Sequence, residues 1–277
     1  MRIGRLVAID LLRFLEEDLG EWDDSTGMVP DLDVDAAIIS KEDCILAGLE
    51  EVSVLFEYLD VNADPLFDDG EYATAGAEVM ALHGSARNIL RGERVALNIL
   101  GRMSGIATLT RECVLRAQKV RVACTRKTTP GFRYFEKKAV LIGGGDTHRF
   151  NLSGAVMIKD NHIAVMGLEN AINEARRHAS FTKKIEVEVE DLDTMVRAAE
   201  LGADIIMFDN MDPEDIKRGV AMLNEMGVRS RVVLEASGGI NPGNLEAYAS
   251  TGVDVISMGA LTRSARWIDF SMEVRKG

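Results

Sequence analysis

An α/β protein is predicted, with a parallel sheet forming the larger C-terminal part behind a smaller N-terminal α+β domain, and three observations carry the prediction. From about residue 120 short apolar runs recur at 120–123, 155–158, 185–189, 205–208, 232–234 and 253–258. Helix start and stop signals stand between them: Asp212-Pro213 with Gly227, Asn241-Pro242 with Gly252, and Asp191 with Gly202. Each run also finishes in polar or glycine residues: Arg126 and Lys127; Lys159; Glu188 and Glu190; Asp209 and Asn210; Glu235, Ser237, Gly238 and Gly239; Gly259. Strands separated by helices form parallel βα units, hence a barrel or a doubly wound sheet, and such sheets bind ligands at the carboxyl ends of their strands. Those polar residues are therefore expected on one rim.

The N-terminal elements read differently. Ile9, Leu12, Leu15 and Leu19, with Leu6 before them, lie at near-helical spacing and Gly20 is a natural stop. Residues 34–39 read as a strand. The Asp69-Gly70 turn followed by residues 76–82 predicts a hairpin. Ser85 opens a long helical pattern to about Lys119, interrupted near Gly101 and Gly105. The division is thus 1–119, an α+β domain with a long helical linker, and 120–277, the parallel domain.

Composition narrows the functions. The 277 residues, 47% hydrophobic with a formal net charge of -13, suit one or two globular domains. No run of 18 apolar residues occurs and the first residues lack a secretory pattern, so a cytoplasmic protein without a membrane segment is expected. Residues 1–71 hold 20 acids against Arg2, Arg5, Arg13 and Lys41, which argues against nucleic acid and anionic membrane as partners. Cys44, Cys113 and Cys124 are odd in number with no C-x-x-C pair, which suits buried thiols rather than a disulfide framework or a zinc site.

Against that acidic background one stretch collects cations. Between Arg121 and His162 there are eight Lys or Arg and three acids. Arg126 and Lys127 follow a strand and precede the Pro130-Gly131 turn, His148 and Arg149 follow the glycines 143–145, and Lys159 ends another strand. A single exposed lysine is ordinarily a solvated charge. Three cationic sites at strand ends or a glycine turn instead suit a compact polyanion. The carboxylates Glu188 and Asp209 come later on the same rim and can meet a diphosphate through Mg²⁺. Ser237-Gly238-Gly239 offers backbone N–H groups to a phosphate, with a plain structural turn as the equal alternative. His83 and His178 read as structural or surface residues, and they share no ligand spacing with His162.

In order and spacing TRKTTPGFR, EKKA, GGGDTHR and MIKDNH, preceded by SARNILRGERVALNILGRMSGIAT, resemble the quinolinate phosphoribosyltransferase family over nearly the whole chain. The resemblance favours an incomplete α/β barrel. It implies transfer of phosphoribosyl from phosphoribosyl pyrophosphate to quinolinate with loss of CO2, giving nicotinate mononucleotide and pyrophosphate for NAD synthesis, with Mg²⁺. By the same resemblance Arg94, Arg126, Lys127, His148, Arg149 and Lys159 fall on positions around quinolinate, and Glu188 and Asp209 on positions near the ribose and metal. Ser237, Gly238, Gly239 and Gly259 fall on phosphate positions. Arg94, otherwise a solvated helix charge, would reach the partner subunit's site in a homodimer or an assembly of dimers. Lys127 or Lys159 would supply or relay the proton that replaces CO2, which makes Lys127, Lys159, Glu188 and Asp209 the catalytic candidates. Arg263 stands where the family commonly has His, and Trp22-Asp23-Asp24-Ser25-Thr26 replaces the family's Gly-Asp before Thr or Ser. The alternatives are a related phosphoribosyltransferase acting on nicotinate or another ring, including the molybdenum-linked paralogue, and a non-catalytic binding protein on the same fold.

Overall fold

The structure, a computed structural model, describes residues 5–275. The chain makes two compact units. One runs up to Arg111 and takes in Thr129–Gly144 and the stretch from Ala265; the other comprises Glu112–Thr128 and Gly145–Ser264.

In the first unit the expected opening helix is Arg5–Leu19, stopped by Gly20 at φ 62°; the Leu6 side chain lies outside the described residues. A four-stranded antiparallel sheet follows in the order Phe270–Val274, Asp33–Ser40, Glu78–Ser85, Asn62–Pro65. The Asp69-Gly70 turn lies between Asn62–Pro65 and Glu78–Ser85, which pair antiparallel, so the expected hairpin is present but with a wide connection, in which Tyr72–Ala73 pairs with Cys44–Ile45. Local hydrogen bonding explains the wide connection. Gly70 N donates to Leu46 O at 2.8 Å and Leu49 N donates to the Asp69 carboxylate at 3.0 Å, which ties the turn to the entry of the helix Leu49–Tyr58.

The long helix is Ala86–Ala117, 32 residues without a break. Gly101 and Gly105 are packing sites and not interruptions. A Cβ on Gly105 would lie 1.9 Å from Arg266 O, and one on Gly101 would lie 2.8 Å from Ile268 O. Ile268 N donates to Gly101 O at 3.0 Å, so backbone meets backbone there. Gly105→Ala is expected to lower the stability of the folded chain by about 3 kcal/mol in urea titration, although Ala is the better helix former by about 1 kcal/mol. An unchanged midpoint would mean that the 265–268 segment is not held against this helix.

One cation of the basic stretch is structural, and other acids take cations from elsewhere. Lys138 Nζ donates to Glu50 at 2.6 Å and to Glu51 at 2.7 Å, with Asp69 at 3.8 Å. Glu136, fully buried, takes Arg102 at 2.7 Å together with the Thr129 N–H and hydroxyl. Trp22–Thr26 folds into its own cap: Asp23 accepts from Thr26 and, at 2.7 Å, from Arg91.

The second unit is the parallel half. Its six strands run in the order Arg121–Ala123, Val255–Ser257, Val233–Ser237, Ile205–Asp209, Ile185–Val189, Val156–Ile158, every pair parallel. The first strand pairs with the last and each of the others with its successor, leaving one seam, between Arg121–Ala123 and Val156–Ile158. That is barrel order with a single unpaired step, in keeping with an incomplete barrel. At the seam Cys124 N donates to Asp146 O and Asp146 N to Val122 O, so residue 146 pairs where the missing strand would lie.

Strand alternation explains the layering. Val187, Ile206, Phe208, Leu234, Ala236 and Ile256 are buried on the outer face. The helices Leu192–Glu200 and Pro213–Glu225 supply Met195, Ala198, Ile216 and Leu223 to the core. Asp191 caps the first of these by accepting from Thr194 N at 2.7 Å. Asn241-Pro242 does not open a helix directly: the helix is Leu245–Ala249, because Asn241 accepts from Gly243 N and closes a turn of its own first. No helix among the described residues is long and apolar enough to cross a membrane.

Candidate active site

The alternation that buries apolar residues outside the sheet turns polar ones inward. Met157 and Lys159, Glu186 and Glu188, Met207 and Asp209, and Glu235 and Ser237 are spaced two apart and share the inner face. At the carboxyl ends this face opens into a cavity of about 350 Å³. Arg126, Lys127, His148, Arg149, Lys159, Glu188, Asp209, Ser237, Gly238 and Gly239 all line it. Two of the expected residues are placed elsewhere. Gly259 sits behind the wall, where a Cβ would lie 3.2 Å from Lys127 Cδ. Arg94 is exposed on the long helix in the other unit. Arg263 is exposed, and the neighbouring Thr262 hydroxyl donates to Lys127 O at 2.7 Å.

The cations are held in different ways. Lys159 Nζ lies 2.5 Å from Glu188 Oε2. Among the described residues Arg149 bonds no carboxylate; it donates to Ala155 O at 3.4 Å and Met157 Sδ at 3.2 Å. Burial and then the Arg126 charge pull its guanidinium below the ordinary arginine value. Arg126 carries a buried Nε with no hydrogen-bond acceptor. Two guanidinium groups thus repel one another in a shared cavity, one of them with an unmet donor. Such a site is short of anionic oxygens.

The carboxylate side is equally specific. Asn210, at φ 55°, donates from Nδ2 to Asp209 Oδ2 at 2.7 Å and from its backbone to Ser237 O at 2.9 Å. Asn tolerates this left-handed backbone better than most residues. With Glu188 Oε2 taken by Lys159 and Asp209 Oδ2 by Asn210, each carboxylate keeps one oxygen for the cavity. All-oxygen donors, few in number, fit Mg²⁺, which takes one or two carboxylates plus phosphate oxygens and water.

Below the cavity His148 Nε2 faces Glu235 Oε2 at 3.3 Å and Glu186 Oε1 at 3.8 Å. These three could surround a cation by position. The ring tautomer speaks against it: Arg149 N donates to His148 Nδ1 at 2.7 Å, so Nε2 carries the hydrogen and has no lone pair for a metal. Burial works against charge on His148, but the hydrogen bonds to Glu186 and Glu235 outweigh it and lift its pKa to about 10. Burial pushes Glu186 up as well. Both shifts favour keeping a proton within this cluster. Cys124 is buried and donates to Thr147 O at 3.3 Å.

Asn210 and Glu235 were expected on the rim from their places at strand ends but were given no role there, and Glu186 was not singled out. Glu186 had a signal: in the run 185–189 it is two residues from Glu188 and must share its face.

Family models match along the chain: quinolinate phosphoribosyl transferase, N-terminal domain, over residues 23–104, and the C-terminal domain over residues 106–273. A relative from Methanothermobacter thermautotrophicus, named a probable nicotinate-nucleotide pyrophosphorylase (carboxylating), is 49% identical over 275 residues, covering 96% of this chain and 99% of its own. The human nicotinate-nucleotide pyrophosphorylase (carboxylating) is 42% identical, covering 86% and 82% respectively. The solved structure of the nicotinate-nucleotide pyrophosphorylase from Francisella tularensis superposes with a TM-score of 0.91 at 37% identity, covering 98% of this chain and 96% of that one.

Proposed function

The chain belongs to the quinolinate phosphoribosyltransferase family, and from that premise we propose how its cavity performs the family's reaction. The activity is that of a nicotinate-nucleotide diphosphorylase (carboxylating) in NAD biosynthesis. The observation that carries the assignment to this cavity is the unpaired guanidinium set. Arg126 and Arg149, with His148 and Lys159 beside them, match a ring bearing two adjacent carboxylates.

In this reading Arg126, Arg149, His148 and Lys159 hold the carboxylates and aim the ring nitrogen at C1 of the phosphoribosyl group. Ser237, Gly238 and Gly239 bear on a phosphate, with Gly259 supporting the wall behind Lys127. Glu188 and Asp209 face the ribose and would hold Mg²⁺, which when bound neutralises charge on the departing pyrophosphate. As the bond from C1 to pyrophosphate breaks, positive charge builds at C1, and the two carboxylates stabilise it. Bond formation leaves the ring nitrogen cationic. It then accepts the electron pair left on the adjacent carbon as CO2 departs, and Lys127 or Lys159 returns a proton to that carbon. Lys159 must loosen its hold on Glu188 to serve. Arg94 would complete the site from a second copy of the chain in a cytoplasmic homodimer or an assembly of dimers.

The test is product formation from phosphoribosyl pyrophosphate and Mg²⁺, with quinolinate and separately with nicotinate. Nucleotide and CO2 in equal amounts from quinolinate alone is the expected result. Nucleotide from nicotinate without CO2 would move the substrate to the monocarboxylate, and binding without turnover in both mixtures would make the cavity a binding site only.

A further inference from the structure

His148 lies at a boundary. It lines the substrate cavity and also a second cavity of about 390 Å³ on the other side of the same interior, toward the amino ends of the strands. Glu186 and Glu235 line only the second one. Both are almost fully buried, at 1% and 3% exposure, and each keeps one oxygen with no hydrogen-bond partner. Buried carboxylates of this kind cost stability, and apolar residues would fill the same inner face without the penalty. Their geometry shows what they do instead.

The ring they face is constrained on every polar side. His148 sits at φ 52°, its backbone N donates to Asp146 Oδ1 at 2.7 Å, and its Nδ1 accepts from the next residue's N–H at 2.7 Å. Those contacts fix the backbone and one ring nitrogen. The other nitrogen is fixed only by the carboxylates, each on a different strand: Glu186 on Ile185–Val189 and Glu235 on Val233–Ser237. Glu235 is in register with Met207 and Met207 with Glu188, so Glu235 stands level with Glu188 and one layer below Asp209, while Glu186, in register with Ile205, lies one layer below Glu188.

We propose that Glu186 and Glu235 are positioning residues for the established reaction: from beneath the cavity they hold the imidazole of His148, whose tautomer the Arg149 N–H sets, in one orientation as a wall of the quinolinate site. The inference deepens the reading of His148 as a substrate contact and rests on it. Nothing in it requires either glutamate to touch substrate. Glu235 acts through its acceptor oxygen on Nε2–H, the shorter of the two contacts, and Glu186 closes the other side.

The experiment uses full-length Glu235→Leu, Glu235→Gln and His148→Asn proteins with two readouts. One is the nitrogen spectrum of histidine-labelled protein, in which four histidines contribute and His148→Asn identifies the signal. The other is KM for each substrate. Wild type is expected to show Nε2 bearing hydrogen and Nδ1 as acceptor. Glu235→Leu is expected to shift the Nε2 signal, which loses its facing carboxylate, and to raise KM for quinolinate about tenfold, the scale of letting one wall of the substrate site move. KM for phosphoribosyl pyrophosphate is expected to stay within about twofold, since the phosphate side keeps all its contacts. Glu235→Gln, which retains an acceptor oxygen, is expected to recover both the spectrum and the quinolinate KM. An unchanged spectrum in Glu235→Leu, or an equal rise in both KM values, overturns the inference. An unchanged quinolinate KM in His148→Asn overturns instead the substrate role on which it rests, and the spectrum still decides whether the carboxylates hold the ring.

Discussion

Arg149→Met is expected to raise KM for quinolinate by about 100-fold or more, the cost of a charge-assisted contact, while leaving the substrate-free protein no less stable than wild type. The two halves of this result come from one feature. Among the described residues no carboxylate bonds Arg149, and burial and the Arg126 charge outweigh the attraction of Glu186 and Glu188, so without substrate it is a liability that an anion offsets. Removing it relieves like-charge repulsion worth up to about 1 kcal/mol, and Met fills much of the vacated space. Its hydrogen bonds to Ala155 O and Met157 Sδ are long and lose little. Substrate kinetics beside a urea titration would check both signs. An Arg149→Met protein that unfolds earlier and binds quinolinate normally would make this residue a structural cation and leave the dicarboxylate without its second guanidinium.

Gly238→Ala is expected to cut kcat/KM for phosphoribosyl pyrophosphate by about 100-fold or more, with a folded protein still recovered. Gly238 sits at φ 91°, and a Cβ there would lie 2.3 Å from Asn210 Oδ1 and 2.5 Å from Asn210 N. The backbone N cannot move aside, because Asn210 N donates to Ser237 O. Asn210 also holds Asp209 at 2.7 Å, so relief of the clash displaces the metal-side carboxylate together with the glycine turn. Steady-state rates with each substrate varied in turn would show the defect on the phosphoribosyl pyrophosphate side. A normal rate would mean that this turn has slack that the close approach of Asn210 denies.

How much of this could be read from the sequence depended on the physical range of each signal. The parallel strands and their ends were legible because apolar alternation and the Asp191, Asp212 and Gly202 signals are local. Arg126, Lys127, His148, Arg149 and Lys159 were legible as a group because cations stood out in an acidic chain. Lys138 shows the limit of that argument, since it belongs to the same basic stretch yet is consumed by Glu50 and Glu51. Gly101 and Gly105 looked like helix breaks because their partners, Arg266 and Ile268, lie more than 160 residues away. Glu186 was passed over because attention to strand ends ignored the layer beneath, and Glu235, though placed on the rim, had no role because its partner His148 is far away in the chain. Asn210 needed the positive φ and the neighbouring Gly238, neither of which composition records.

The strand Phe270–Val274 pairs with Asp33–Ser40 at the border of the antiparallel sheet. During synthesis one side of Asp33–Ser40 can be matched once Glu78–Ser85 has followed it, but its other side stays bare until some 230 further residues have been translated, the whole parallel sheet among them. A nascent chain still without Phe270–Val274 thus carries a long open β-edge, the kind of template on which chains associate wrongly. A premature stop even a few codons before Phe270 should therefore yield aggregate in place of a slightly weakened enzyme.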